Sequence, residues 1–243
     1  MGRRSCDGAG LLGAFRAAVA NLELHVDEIN GLNVFPVPDG DTGSNMLATV
    51  KAALNEAEGA ASAGKAGVDR IAAAASFGAL MGARGNSGVI TSQILRGFAE
   101  ALAAKSRFNG LDLANALESG TKAAYGAVAK PVEGTILTVI RESSAASVSI
   151  AERENDLEAV LTFTLDAAEK SVAKTPSLLP ILREAGVVDA GGQGLYRLFQ
   201  GALLFLVGKA PEIARPAGAV PARPSVLIAH ADEGFGYETM YLL

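Results

Sequence analysis

Leu12-Gly13-Ala14-Phe15-Arg16-Ala17-Ala18-Val19-Ala20-Asn21-Leu22-Glu23-Leu24-His25-Val26-Asp27-Glu28-Ile29 sets the fold class. Leu12, Phe15, Val19, Leu22, Val26 and Ile29 step by three and four, the spacing of one buried helix face. The same period recurs along the chain. It predicts helices over 44–58, 68–81, 87–104, 111–128, 135–150, 156–174 and 192–207, with a short one near 177–185. Alternation of the strand type is absent before the last dozen residues. Many of these segments are apolar on more than one side and rich in Ala and Gly, which suits helices mutually buried in a bundle or ring. The expectation is an all-α domain.

Composition agrees. The chain has 243 residues, about half of them apolar, with no Trp and 28 Gly, and Ala and Leu are strong helix formers. A net charge of −5, without a basic run longer than Arg3-Arg4, argues against nucleic acid as a partner, because phosphate backbones need a lysine- or arginine-rich face. Cys6 is the single cysteine, so neither a disulfide framework nor a cysteine zinc site is available. No apolar run reaches the roughly 18 to 20 residues of a membrane span. Asp7, Arg16 and Glu23 interrupt any signal-peptide pattern. A cytoplasmic protein, not integral to a membrane, is expected.

Two kinds of break separate the helices. Ala60–Gly64 and Lys105–Gly110 look like ordinary connections. Asn33–Gly43, Gly82–Gly88, Pro131–Thr135 and Val188–Gly194 each combine Gly with polar residues, and each precedes a helix. Helix N-termini attract anions, since their first N–H groups are unpaired and the dipole is positive there. Four such entries converging at one end of a bundle would make an anion site.

The sharpest segment is Asn33-Val34-Phe35-Pro36-Val37-Pro38-Asp39-Gly40-Asp41-Thr42-Gly43-Ser44-Asn45-Met46. Two aspartates flanking a glycine bring two carboxylates close together, a poor arrangement unless a cation lies between them. Magnesium takes one or two carboxylates plus substrate phosphates and waters. Alone, Asp-Gly-Asp reads first as a turn before a Thr42 or Ser44 helix cap. Gly82-Ala83-Arg84-Gly85-Asn86-Ser87-Gly88 can turn successive backbone N–H groups toward a phosphate. It lacks the Gly-Lys-Ser/Thr ending of a Walker loop. Pro131-Val132-Glu133-Gly134-Thr135 and Val188-Asp189-Ala190-Gly191-Gly192-Gln193-Gly194 each read singly as a turn with a cap. The histidines, His25 and His230, fall outside all four segments.

PVPDGDTGSNM, GARGNSGVITSQILRG, PVEGTILTVIRE and DAGGQG, in this order and at these separations, closely resemble the DhaL-like (DAK2) domain at the N-terminus of bacterial fatty acid kinases. More distantly they resemble the ATP-binding subunit of dihydroxyacetone kinases. The resemblance covers about residues 10–208. It implies a barrel of about eight antiparallel helices with ATP and magnesium, two ions, at one rim. Asp39 and Asp41 would be magnesium ligands, with Asn33 near the place of a third aspartate that dihydroxyacetone kinases carry at a slightly different spacing. Thr42, Gly43, Ser44 and Asn45 match the helix entry beside the metals, and Gly85, Asn86, Ser87 and Gly88 the phosphate loop. Thr135, Asp189 and Gly191 match positions near the nucleotide, and Arg84, inside the loop, is the arginine expected to meet a phosphate.

The implied reaction is transfer of the γ-phosphate of ATP to the carboxylate of a fatty acid presented by a separate fatty-acid-binding protein. A carboxylate is already ionised at neutral pH, so no general base is required. A hydroxy-ketone kinase and a non-catalytic nucleotide-binding module are the alternatives. The expected organisation is a helical domain over 1–208, a proline-rich linker over 209–224 and the start of an α/β domain over 225–243. Gly236-Tyr237-Glu238-Thr239 resembles the beginning of the kinase's middle domain, and further domains beyond it would carry a homodimer contact.

Overall fold

A computed structural model describes residues 5–64 and 66–210. In chain order the elements are β1 (Cys6–Asp7), α1 (Gly8–Leu24), α2 (Val26–Gly31), α3 (Thr42–Ser62), α4 (Val68–Met81), α5 (Gly85–Ala101), β2 (Arg107–Phe108), α6 (Gly110–Gly126), α7 (Ile136–Ala151), α8 (Leu157–Leu178), α9 (Pro180–Ala185) and α10 (Ala190–Leu206). The all-α expectation holds. From Pro211 onward, the expected linker and second domain lie outside the described residues.

Among the described residues eight long helices close a ring: α1 packs on α3, α3 on α4, and so on through α5, α6, α7 and α8 to α10, which returns to α1. Neighbours run antiparallel. Arg16 pairs with Glu58 and Glu23 with Lys51 across α1 and α3. Gly13 lies against Phe205 and Gly201 against Ala17 across α1 and α10. Thr121 meets Ser144 and Tyr125 meets Arg141 across α6 and α7. With eight alternating members, α3, α5, α7 and α10 all begin at the same end. These are the four helices preceded by the glycine-bearing segments, so alternation alone brings the four entries to one rim.

The opposite end is finished by its own side chains. Asp7 caps α1 by accepting from Gly10 N–H, Asn109 and Asp112 form a capping box at α6, and Asp156 caps α8. The β1–β2 pair, antiparallel with Cys6 opposite Phe108, lies at this end. Inside, the ring leaves an apolar cavity lined by residues including Val50, Ile94, Phe98, Leu117, Leu161 and Phe199.

Three departures from the sequence expectation have local causes. The first helix breaks at His25, whose ring Nδ1 lies 2.7 Å from the Asn21 carbonyl, and α2 begins at the next residue. Leu22 and Ile29 are both buried and seven residues apart, two helical turns, so the apolar period runs through the break unchanged. The two strands are two residues each, too short to alternate, and β2 lies within a segment expected to be a plain connection. Finally, α8 continues through Pro176. The Val172 carbonyl, which a residue 176 N–H would have satisfied, instead accepts the Thr175 hydroxyl at 2.7 Å.

Candidate functional site

The loop between α2 and α3 is held from below by two asparagines. Asn30 accepts from the Ser44 backbone N–H at 3.1 Å and donates to the Ser44 hydroxyl at 3.0 Å. Asn33 is buried, and its Nδ2 donates to Asp39 Oδ1 at 2.7 Å and to the Val37 carbonyl at 3.0 Å. Its Oδ1 accepts the Thr42 hydroxyl. The loop contains a cis peptide between Phe35 and Pro36. Gly40 has φ +69°, the left-handed conformation that a side chain disfavours, and it turns the chain so that Asp39 and Asp41 stand together. Thr42 and Gly43 are buried, with Gly43 against the Val26 carbonyl of α2.

Asp39 is exposed and Asp41 half-buried. Burial raises the Asp41 carboxyl above its ordinary value; the Asn45 amide opposes the shift, and the neighbouring Asp39 carboxyl adds to it. Two neighbouring carboxylates form an oxygen-only donor set of the kind a hard cation suits. Among the described residues no group of three or more His, Cys, Asp or Glu could hold a metal. A pair of carboxylates fits magnesium, which keeps waters and takes phosphate oxygens for the rest of its shell.

Asn45 also faces the next helix entry. A Cβ on Gly85 would run into its Nδ2, and Gly85 has φ +59°, so this position accepts glycine for two reasons. Thr49, one turn further along α3, accepts from the Arg84 backbone N–H at 3.3 Å and lies against Gly88. The Ser87 hydroxyl donates to the Thr42 carbonyl at 3.4 Å. The α3 and α5 entries are therefore joined side to side. Arg84, the N-cap residue of α5, supplies no side-chain cap, and its exposed guanidinium enters no ion pair among the described residues. Asn86 is half-buried at the same entry.

The α7 and α10 entries adjoin each other and are already satisfied. Asp189 is 6 % exposed and caps α10 by accepting from Gly192 N–H at 2.7 Å. Burial pushes its carboxyl up to about 6, opposed by the nearby backbone amides of Gly192 and Ile136. The Thr135 hydroxyl accepts from Leu137 N–H and donates to the Val132 carbonyl. Gly191 packs on Ile136, and Gly194 on Met46 of α3, which ties this half of the rim to the other. Arg141 is bound to Glu133 and to the Tyr125 hydroxyl, and Glu133 also accepts from Thr138 at 2.6 Å.

Sequence reasoning misses Asn30 and Thr49. The Asn30-x-x-Asn33 spacing, one helical turn, is the available signal for the first. Thr49 lies one turn beyond Asn45 on the same helix face.

A closed antiparallel helical ring, with an acidic pair and a glycine-rich helix entry joined at one rim, defines the class of domain. The DAK2 domain family model matches residues 36–204, and the chain belongs to that family. It is 44% identical over 209 residues to Protein YloV of Bacillus subtilis (strain 168), covering 86% of this chain and 37% of that protein. It is 45% identical over 192 residues to an uncharacterized protein of Staphylococcus haemolyticus, covering 79% and 34%. The chain spans about a third of the length of these curated relatives. Among solved structures, the dihydroxyacetone kinase of C. freundii in its native form matches with a TM-score of 0.56 at 19% identity, over 83% of this chain and 35% of that one. The same enzyme in complex with AMP-PNP and Mg2+ matches with a TM-score of 0.56 at 20% identity, over 82% and 34%. At these identities the likeness speaks to fold.

Proposed function

We propose that this chain is the nucleotide-binding part of a kinase that transfers the γ-phosphate of ATP to the carboxylate of a fatty acid carried by a separate binding protein. The observation that carries the nucleotide site is the junction of α3 and α5: Asn45 touches Asp41 on one side and Gly85 on the other. The acidic pair and the glycine entry thus adjoin as one surface, which supports a metal-bound polyphosphate lying across them. A relative in fold, the C. freundii kinase, is described in complex with AMP-PNP and Mg2+, which supports the same pairing of ligands here.

In this reading Asp39 and Asp41 hold magnesium, and the first-turn N–H groups of Gly85, Asn86 and Ser87 face the phosphates, while the Gly88 N–H is spent on the Arg84 carbonyl and Gly88 serves by its close packing on Thr49. Bound magnesium would supply charge neutralisation on the β- and γ-phosphates. Arg84, exposed and outside any ion pair among the described residues, is assigned to a phosphate; Arg141 is occupied by Glu133 and Tyr125. Thr135, Asp189 and Gly191 shape the far side of the rim, their polar groups being bonded within the protein. No histidine among the described residues lies at the acidic pair, and a carboxylate acceptor needs none, because it attacks in its ionised form. The work left to the protein is alignment and electrostatic stabilisation.

Leu24, Val37, Phe77, Leu80 and Met81 are exposed at this end of the ring, an apolar surround that supports delivery of the acceptor by a protein docking there. No helix of the described residues is long and apolar enough to cross a membrane. A hydroxy-ketone acceptor is the competing reading.

The test is melting with ATP plus magnesium, ATP plus EDTA and no ligand, on wild type and Asp39→Asn/Asp41→Asn. Ligand at 100 times Kd stabilises by about 2.7 kcal/mol, a shift of about 5 to 10 °C for a domain this size. A magnesium-dependent shift lost in the double variant is expected; its absence from wild type at millimolar ATP would overturn the site. Arg84→Ala is expected to weaken ATP binding and Arg141→Ala to leave it unchanged. Acyl phosphate formed by the full-length protein with a loaded lipid carrier, but no phosphorylation of dihydroxyacetone, decides the acceptor.

A further inference from the structure

We infer that Asn33 is a positioning residue for the metal site and not one of its ligands. The inference rests on the reading that Asp39 and Asp41 hold the metal of a nucleotide site. A carboxamide has two N–H donors and one carbonyl oxygen with which it could bind a hard cation. In Asn33 both donors are used, on Asp39 Oδ1 and on the Val37 carbonyl. The carbonyl oxygen, the only atom able to coordinate, accepts the Thr42 hydroxyl. The side chain is 7 % exposed, so its orientation is fixed by packing as well as by these three bonds.

The consequence is directional. Asn33 Nδ2 occupies one oxygen of Asp39 and leaves the other for the ion. Asp39 is thereby oriented before any cation arrives. Thr42 joins this device to the glycine loop: its hydroxyl fixes the Asn33 carbonyl, and its backbone carbonyl accepts Ser87 from the α5 entry. Asn33 therefore ties the orientation of Asp39 to the start of α3 and, through it, to the glycine loop. An aspartate at position 33 would match the shape but could donate to neither Asp39 nor the Val37 carbonyl at neutral pH.

The experiment is titration of the 243-residue chain with Mn2+ in the presence of AMP-PNP, read by electron paramagnetic resonance of free Mn2+. Wild type, Asn33→Asp, Asn33→Leu and Thr42→Val are compared, with AMP-PNP affinity in EDTA as the second readout. Loss of an orienting partner typically weakens metal binding by about 10- to 100-fold. That loss is expected for both Asn33→Leu and Asn33→Asp, with metal-free nucleotide affinity unchanged and no gain in ions bound per chain. Thr42→Val, which leaves the asparagine in place but frees its carbonyl, is expected to show a smaller loss in the same direction and covers the case in which an Asn33 variant does not fold. Tighter Mn2+ binding or an added ion in Asn33→Asp would show that position 33 faces the metal and overturn the inference. Unchanged Mn2+ affinity in Asn33→Leu, or in Thr42→Val where it alone folds, would overturn it too. Absence of Mn2+ binding by wild type would instead sink the nucleotide-site reading beneath it.

Discussion

The two halves of the rim start from the same problem and answer it differently. At α7 and α10 the N-cap side chains close the entries themselves: Thr135 accepts from Leu137 N–H and the buried Asp189 from Gly192 N–H. At α3 and α5 the N-cap residues Asp41 and Arg84 give no side-chain cap, and the carboxylates stand outside the helices at the solvent edge. Helix entries need anionic partners; one half has its partner built in, and the other has room for one from outside. The difference locates the proposed ligand more narrowly than the four glycine segments do, since polar glycine-bearing entries occur in both halves.

Variants can break this contrast or sharpen it. Asp189→Ala should have the largest effect on stability, about 2 to 3 kcal/mol below about pH 5, because it strands the buried Gly192 N–H, while leaving ATP affinity unchanged; urea unfolding near pH 5 and nucleotide titration at neutral pH together check this. An equally large loss of ATP affinity in a folded variant would erase the distinction between the halves.

The same carboxylate predicts a pH dependence. Its folded value, about 6, lies above the ordinary 3.8, so the folded state binds the proton more tightly than the unfolded one. Its stabilising contribution is full below about pH 4 and is lost as pH rises through about 6, a span of about 3 kcal/mol. The difference in unfolding free energy between wild type and Asp189→Asn should therefore move in wild type's disfavour between about pH 4 and pH 7. A flat difference would mean the carboxyl is not held as described. Glu28, Glu133 and Glu142, whose values are lowered from 4.5, act with the opposite sign, and their contributions are lost below about pH 4.5, outside most of that window.

On the open side, Gly85→Ala forces a side chain into a left-handed conformation, at about 1 to 2 kcal/mol, and against Asn45. ATP affinity should fall by about tenfold or more, as calorimetry would register, whereas Gly191→Ala should leave it intact. The smallest effect is expected for Thr135→Ala, about 1 kcal/mol of stability from a lost cap with no change in nucleotide binding. Reversal of these last two outcomes would move the ligand across the rim.

Much of the ring is legible in the sequence because each long helix carries its own period and most carry their own start signal. The predicted 68–81 coincides with α4, and the other long helices from α3 onward differ by a few residues at their ends. What escapes detection depends on contacts made at a distance. Asp189 reads as the cap of α10, but nothing near it announces that the same turn packs on Ile136 of another helix. Asn33 reads as part of the acidic segment, yet its bond to the Thr42 hydroxyl is not legible there, and the task of Asn30 appears only when the chain returns 14 residues later to place Ser44 beside it. The acidic pair itself is legible, because two carboxylates one glycine apart repel each other until a cation joins them; how they are oriented is not.

Because the Gly192 amide of α10 is held by a buried carboxylate and Gly191 of the same turn packs on Ile136 of α7, that side of the mouth behaves as a fixed jamb. Any opening and closing that the proposed nucleotide exchange requires is then expected in α2, α3 and α5. The amide of Gly192 should trade hydrogen for deuterium far more slowly than those of Gly85, Asn86 and Ser87, and the contrast in their exchange rates would measure how unequally the mouth moves.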